Sequence, residues 1–483
     1  MMSPIKDMTG EILTGESGKR YVLAKRAGLG GQGVVYEDET GKYMIKLYYP
    51  TNSEEVDNDI VDRLKFVQNV KMPANFVTVI DIFCRPYVGY VMEKVKDHKA
   101  LSTYLIPDRK RSFVEWYNQG RGLYERIFIG YVLAKSFKAL EKQNLSYCDI
   151  SGNNILVKIG NSASIKMIDI DNIYIAGRGK ASVLGTPRYI APEVVNRHKN
   201  PDILSDNYSL AVILFELLRV GHPYIDDDVL EGSPEDEENA LNGNGEYVTN
   251  ENSTNMLPAE VVTTDKLRSL FKRCFVEGKQ NRLSRPSPAE FEVALLEASN
   301  KLIKCPNCGA WHFPGKPFKN SVCPWCDASS KPKAILNFYD VLYEGEDYTH
   351  LTAVEKSRKA VNAYILKPQH KNSIKGLYVF PKNANDSQEG RGLTDSFVTV
   401  AGAPDGFYLY HEFSQKLPSL KIILKRIGVY GDTTYEFIES GAKKKLQHGD
   451  EIYFEVGDQS FTIGGGGKKY SFVRVARFLE VPE

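Results

Sequence analysis

The sequence predicts an α+β chain: a small β-rich lobe, a larger helical lobe and a separate all-β end. Three observations carry this. Short apolar runs with strand character fill residues 21–95, and helical periodicity takes over from about Glu125 to Leu302. Beyond Pro332, Tyr, Phe, Val and Ile return between Gly and Asp turns. At 483 residues the chain is too long for one core. The expected division is a leader over 1–19, the β lobe over 20–97 and the helical lobe over 98–302. A cysteine segment over 303–330 and a β domain over 335–483 follow.

In the first lobe, strands are expected at Tyr21–Ala24, Val34–Glu37, Tyr43–Tyr48, Phe76–Phe83 and Tyr87–Val95. One helix interrupts them, with Val56, Ile60, Leu64 and Val67 on one face. In the helical lobe, Ile127-Phe128, Tyr131-Val132 and Leu210–Leu218 keep the helical period. Residues 225–257 break it with Asp226-Asp227-Asp228, Glu235-Asp236-Glu237-Glu238, then Asn- and Gly-rich sequence without Lys or Arg. That composition predicts a solvated, disordered insertion, with an acidic docking loop for a basic partner as the alternative.

Lys and Arg total 62 against 61 Asp and Glu, so nothing global favours nucleic acid or an anionic membrane. Met-Met-Ser-Pro-Ile-Lys-Asp has no apolar core of a secretory signal, and the longest greasy run, Leu210–Leu218, is about half a span. A soluble, cytoplasmic chain is expected. Cys84, Cys148 and Cys274 are scattered, while four cysteines stand as two C-x-x-C pairs, which suits a metal in a reducing compartment.

Chemistry concentrates at Tyr147-Cys148-Asp149-Ile150-Ser151-Gly152-Asn153-Asn154. Asp149 and Asn154 are five residues apart, and Asp169 follows fifteen residues later, after a second apolar run. Three oxygen-bearing side chains at a hairpin mouth suit phosphoryl transfer: one accepts a hydroxyl proton, two hold Mg²⁺ on a triphosphate. Upstream, Gly28-Leu29-Gly30-Gly31-Gln32-Gly33-Val34-Val35-Tyr36 fits G-x-G-x-x-G-x-V. A strand rather than a helix follows the glycines, which favours a flap over phosphates rather than a dinucleotide fingerprint. Lys46, inside the apolar run Tyr43–Leu47, is placed to hold the α/β-phosphates.

With Gly185-Thr186-Pro187-Arg188-Tyr189-Ile190-Ala191-Pro192-Glu193, Asp206-Asn207-Tyr208 and Arg285-Pro286-Ser287 in the same order, residues 20–300 resemble a eukaryotic-type Ser/Thr protein kinase. The resemblance implies a bilobal fold, ATP and Mg²⁺ as cofactors, and a protein substrate. It implies that Asp149 orients or deprotonates the hydroxyl, that Asn154 and Asp169 bind Mg²⁺, and that Lys46 positions the nucleotide under Gly28, Gly30 and Gly33. Adenine would pair with the backbone of Glu93 and Val95 behind Met92, between Val35 and Leu156. Glu193 and Arg285 resemble the buried ion pair of the helical lobe, Asp206 the brace of the catalytic loop, and Thr186 the mark of Ser/Thr specificity.

Several positions depart from the family pattern. Cys148 stands where an Arg would clamp a phosphorylated loop, leaving Ser182 and Thr186 as modification sites without that clamp. Ser151-Gly152 replaces Lys-Pro, Asp169-Ile170-Asp171 replaces Asp-Phe-Gly, and Met44 replaces a small residue beside adenine. Asp171 reads either as a stiffener of the hinge or as an added metal carboxylate. The helix acid for Lys46 is open among Glu54, Glu55 and Asp57. The loop is closer to bacterial and atypical kinases, which often act with a dedicated phosphatase. A pseudokinase scaffold recruiting partners through its tail is the second reading, and a small-molecule kinase the third.

Cys305-Pro-Asn-Cys308, fourteen residues, then Cys323-Pro-Trp-Cys326 presents four thiolates to one ion. That donor set predicts a closed, structural Zn²⁺ ribbon, unfolded without metal. Leu446–Ile452 in the last domain resembles a strand pair of forkhead-associated phosphothreonine readers, with an ordinary β-turn as the alternative.

Overall fold

A computed structural model describes residues 7–108, 110–159, 164–175, 185–196, 199–344, 362–366, 371–375, 396–411, 420–426, 431–437, 443–456, 460–462 and 469–481. Ser182 and Gly464–Gly467 lie outside the described residues. The chain forms two compact units, Met1–Leu295 and Leu296–Glu483.

The first unit begins with a six-stranded antiparallel sheet. Its strands are β1 (Ile12–Thr14), β2 (Arg20–Leu29), β3 (Gly33–Asp38), β4 (Tyr43–Tyr48), β5 (Asp81–Phe83) and β6 (Gly89–Glu93), ordered β1-β2-β3-β4-β6-β5. Alternate residues Tyr21 and Leu23, Val34 and Tyr36, Ile45 and Leu47 face one core with Met8, Phe83 and Val91. Residues 7–19 are therefore part of the lobe rather than a leader. The Ser17 amide (3.1 Å) and hydroxyl and the Tyr21 hydroxyl (3.2 Å) donate to Asp81, which is buried.

Helix α1 (Glu54–Asn69) is N-capped by Ser53, whose hydroxyl accepts from the Val56 amide. Its buried face is Asp57, Val61, Leu64 and Val67; Val56 is exposed. The expected face is turned by about one residue at its start, because Asp57 is drawn inward by Arg85 (2.6 Å) and the Thr51 hydroxyl (2.6 Å).

The helical lobe is built on helices Leu123–Glu141 and Ile203–Arg219. The second is buried continuously from Ser205 to Arg219, and Asp202 caps it by accepting from the Ser205 amide (3.0 Å). Phe215, Phe271 and Phe275 meet edge to face or stacked beside it. Arg285, with 1% of its side chain exposed, grips Glu193 through two 2.8 Å hydrogen bonds. The same guanidinium donates to the carbonyls of Leu204 and Gly278.

Residues 225–257 are folded, contrary to the disorder their composition suggested. Short helices Asp227–Glu231 and Pro234–Asn239 are capped by Asp226 and Ser233. Asp227 accepts from the Thr254 amide (2.8 Å) and hydroxyl (2.7 Å) and from Asn255 (3.0 Å). Arg219 ties in Asn250 and the Leu257 carbonyl. Carboxylates at helix N-termini are stabilised by the free amides and the dipole there, so an acidic run can be folded while its side chains stay in solvent, as Glu235 to Glu238 do.

In the second unit, two sheets form a sandwich. One is ordered 362–366, 334–344, 469–480, 451–456, 420–426, 433–437, with 460–462 also paired to 469–480; the other is 371–375, 396–403, 406–411, 443–445. Leu336, Phe338, Ile452, Phe454, Ala476 and Phe478 of the first sheet meet Val400, Phe407 and Leu409 of the second. In the stretch Leu446–Ile452, Asp450 is buried and held by two hydrogen bonds from Arg426 (3.0 and 2.9 Å), so that guanidinium is spent on structure. Ile303 and Phe318 of the cysteine segment share an apolar cluster with Ile335, Ile365 and Leu479 of the sandwich.

Burial raises the Glu193 carboxyl, and the hydrogen bonds and charge of Arg285 outweigh it, leaving the pKa below its ordinary 4.5. A depressed folded pKa contributes stability above the unfolded value and loses it as the pH falls. Glu193→Gln should cost about 3 kcal/mol at neutral pH in urea melts. The gap to the native protein should narrow as the pH falls through 4.5.

Candidate active site

The loop Tyr147–Asn154 is braced from below by Asp206. This buried carboxylate accepts from the Ser146 hydroxyl (2.9 Å) and the amides of Tyr147 (2.6 Å) and Cys148 (3.0 Å). Burial pushes its pKa up to about 7 against those three donors. Cys148 is held at φ 71°, in the left-handed region, and its thiol is buried, with burial raising its pKa well above normal. The Tyr147 hydroxyl donates to the Ile168 carbonyl, and the Ile168 amide donates to the Asn154 carbonyl (2.9 Å). The segment bearing Asp169 is thereby fixed beside Asn154.

Two side chains meet on Asp149. The Asn154 amide nitrogen donates to its backbone carbonyl (2.9 Å) and to Oδ2 (3.2 Å), and the Thr186 hydroxyl donates to Oδ1 (2.8 Å). With its nitrogen on Asp149, the Asn154 carbonyl oxygen is the atom left to face a cation. Ser151 is buried and its hydroxyl accepts from the Asn154 amide (3.3 Å), so it works as a turn cap.

The flap is the turn between β2 and β3, closed by the Gly30 amide on the Gly33 carbonyl (2.9 Å). A Cβ on Gly33 would stand 2.1 Å from the Leu47 carbonyl oxygen, whereas Gly28 and Gly31 face open space. Gly33 is thus demanded by the close approach of β3 and β4, a reason beyond access to phosphate. Val35 is opposite Lys46 in register, and Met44 opposite Met92. Met92 is buried, Glu93 exposed, and Val95 and Leu156 half-buried.

Lys46 is nearly buried, and its ammonium reaches Asp169 Oδ1 (2.6 Å), Asp171 Oδ2 (3.0 Å) and Gln32 Oε1 (3.3 Å). Burial works against its charge, but Asp171 and Asp169 hold its pKa above the ordinary value. None of the three helix acids occupies this place: Glu54 and Glu55 are exposed, and Asp57 is engaged by Arg85 and Thr51. Nor is Asp171 open to the cleft as a metal ligand would be, because its side chain is wholly buried. Gln32 and Asp171 are the neighbours of Lys46 that motif reading missed. The second acid of Asp-Ile-Asp was the available signal.

A protein kinase domain model matches residues 21–292, more than half of the chain. The chain belongs to the protein kinase domain family. It is 27% identical over 224 residues to a probable serine/threonine-protein kinase of Clostridium perfringens, covering 44% of this chain and 30% of that one. To a serine/threonine-protein kinase of Caenorhabditis briggsae it is 29% identical over 192 residues, 39% of this chain and 15% of the relative. To one of Physcomitrium patens it is 23% identical over 276 residues, 55% of this chain and 71% of the relative. The chain thus spans less than a third of the length of the first two. Among the described residues, no helix is long and apolar enough to cross a membrane.

Cys305, Cys308, Cys323 and Cys326 bring their sulfurs within 4.8 Å of one another. The Cys305–Cys326 and Cys308–Cys323 sulfurs are 3.7 Å apart. Four sulfurs at ~2.3 Å around one tetrahedral ion stand about 3.8 Å apart, so the set fits a single metal and is too open for disulfides. Each knuckle closes alike, the Gly309 amide on the Cys305 carbonyl (3.0 Å) and the Asp327 amide on the Cys323 carbonyl (2.9 Å).

Asp206→Ala would strand three buried donors. It should lower unfolding free energy by roughly 3 kcal/mol in denaturant titration.

Proposed function

We propose that this chain is an ATP- and Mg²⁺-dependent protein kinase that phosphorylates Ser and Thr hydroxyls of proteins in a signalling or stress-response role. The observation that carries this is the meeting of Asn154 and Thr186 on Asp149, one short segment away from the Lys46–Asp169 pair. Asn154 and Asp169 would hold Mg²⁺, which neutralises charge on the phosphates. Lys46 orients the α/β-phosphates, and the flap over Gly28, Gly30 and Gly33 covers them. Adenine is received by the backbone of Glu93 and Val95, behind Met92 and between Val35 and Leu156.

Asp149 orients the substrate hydroxyl and accepts its proton. As that oxygen bonds to the γ-phosphorus, the bond to the β–γ bridging oxygen breaks and ADP leaves. Thr186, held on Asp149, marks the point where a Ser or Thr side chain enters. Because the base and both metal-binding side chains are retained, the catalytic reading is favoured over the scaffold. For the four cysteines the reading is a structural Zn²⁺ with no open coordination position.

Purified protein with radiolabelled γ-phosphate should label itself or a generic basic protein, and Asp149→Asn should lower the rate by a factor of a hundred or more, on the order expected for a lost proton acceptor. Equal labelling by the two would sink the enzymatic reading. Metal analysis should find about one zinc per chain, and Cys308→Ser should lose it.

A further inference from the structure

We propose that Asp171, and no residue of helix α1, is the fixed counter-ion that positions Lys46 for the nucleotide. The inference rests on the kinase reading of the site. Lys46 projects from a central strand into the gap between the lobes, and an ammonium there needs a carboxylate that stays with it when phosphates arrive. Among the described residues two carboxylates touch it, and they differ in exposure. The side chain of Asp169 is 32% exposed, whereas that of Asp171 is 0% exposed.

Asp171 is held from several sides at once. Its Oδ2 accepts from Lys46 (3.0 Å) and from the Tyr48 hydroxyl, and the Tyr90 hydroxyl lies 3.4 Å from Oδ1. Tyr48 is on β4 two residues after Lys46, and Tyr90 is opposite Lys46 in the register of β4 and β6. The carboxylate is therefore built into the same sheet as the lysine. A group so enclosed cannot turn to a metal ion in the cleft, but it can keep Lys46 extended. Asp169, on the open side, is then free to leave Lys46 for the cation.

Helix α1 offers nothing equivalent. Its acids are exposed or paired elsewhere, and its buried face beyond Asp57 is Val61, Leu64 and Val67. The helix instead brings the cation Arg63 within electrostatic range of the Tyr48 hydroxyl. Lys46 is thus oriented by the strand pair and the Asp-Ile-Asp turn, with helix α1 lying against that turn at Ile170–Asn172. Gln32 completes the arrangement from the flap, bridging Lys46 (3.3 Å) and Asn172 (3.4 Å).

The test is a double-mutant cycle on the full chain, read by nucleotide affinity and by KM for ATP and kcat separately. Asp171→Asn should weaken ATP binding and raise KM at least tenfold, as Lys46→Met should. In the Lys46→Met background it should add less than twofold. If the two effects multiply, or if Asp171→Asn binds ATP like the native protein, the proposal is overturned. Tyr48→Phe keeps the carboxylate and removes one of its donors. It should raise KM in the native background and leave it unchanged beside Lys46→Met; an equal rise in both backgrounds would count against the proposal. Glu54→Gln with Glu55→Gln should leave KM for ATP within twofold, and a tenfold rise would return the role to the helix. If the native protein itself binds no ATP, the kinase reading falls and takes this inference with it. An active native enzyme with an unimpaired Asp171→Asn overturns the inference alone.

Discussion

The ammonium group of Lys46 ties the two lobes of the first unit together at the cleft. It rises from β4, lies over the Tyr48 ring, and meets carboxylates carried by the Asp169–Asp171 segment. Burying one charge without partners costs several kcal/mol, so the sheet and the Asp169–Asp171 segment are constrained to remain together. The flap turn, through Gln32, and the hydroxyls of Tyr48 and Tyr90 are arranged around the same point. Beneath it, Asp206 fixes the loop that carries Asp149, and Asn154 ties Asp149 to the strand leading to Asp169. The cleft is a connected network in which few side chains can change independently.

Much of this was legible because the relevant signals are local and ordered along the chain. Glycines ahead of a strand, a lysine within the next strand, and Asp149, Asn154 and Asp169 at fixed spacing each reflect one turn or one hairpin. The four cysteines were legible for the same reason. Their two knuckles are short, and the ligand chemistry resides in the residue type itself. The pair Glu193 and Arg285 is separated by 92 residues, and motif order alone pointed to it.

What was not legible depends on direction rather than identity. Asp171 was visible as a second acid, but whether its carboxylate faces the cleft or the sheet is decided by Tyr48 and Tyr90, far apart in sequence. The face of α1 was misplaced at Asp57 because an aspartate reads as surface until Arg85 and Thr51 are known to reach it. Residues 225–257 read as disordered because their acids, most of them exposed as expected, were counted only as free charge. In the structure they cap helices and hold the Thr254-Asn255 turn, using carboxylates where hydroxyls or amides would serve elsewhere.

The N-terminal hairpin bears on where this domain can be cut. Met8 sits in the core of the sheet, β1 forms its outer edge, and Ser17 supplies two of the donors to the buried Asp81. A fragment begun at the first residue of the family match would expose β2 as a new sheet edge. It would also leave a carboxylate in the interior with part of its shell removed. For recombinant work the natural border of the kinase lies ahead of Met8, and sequence similarity alone would place it too late.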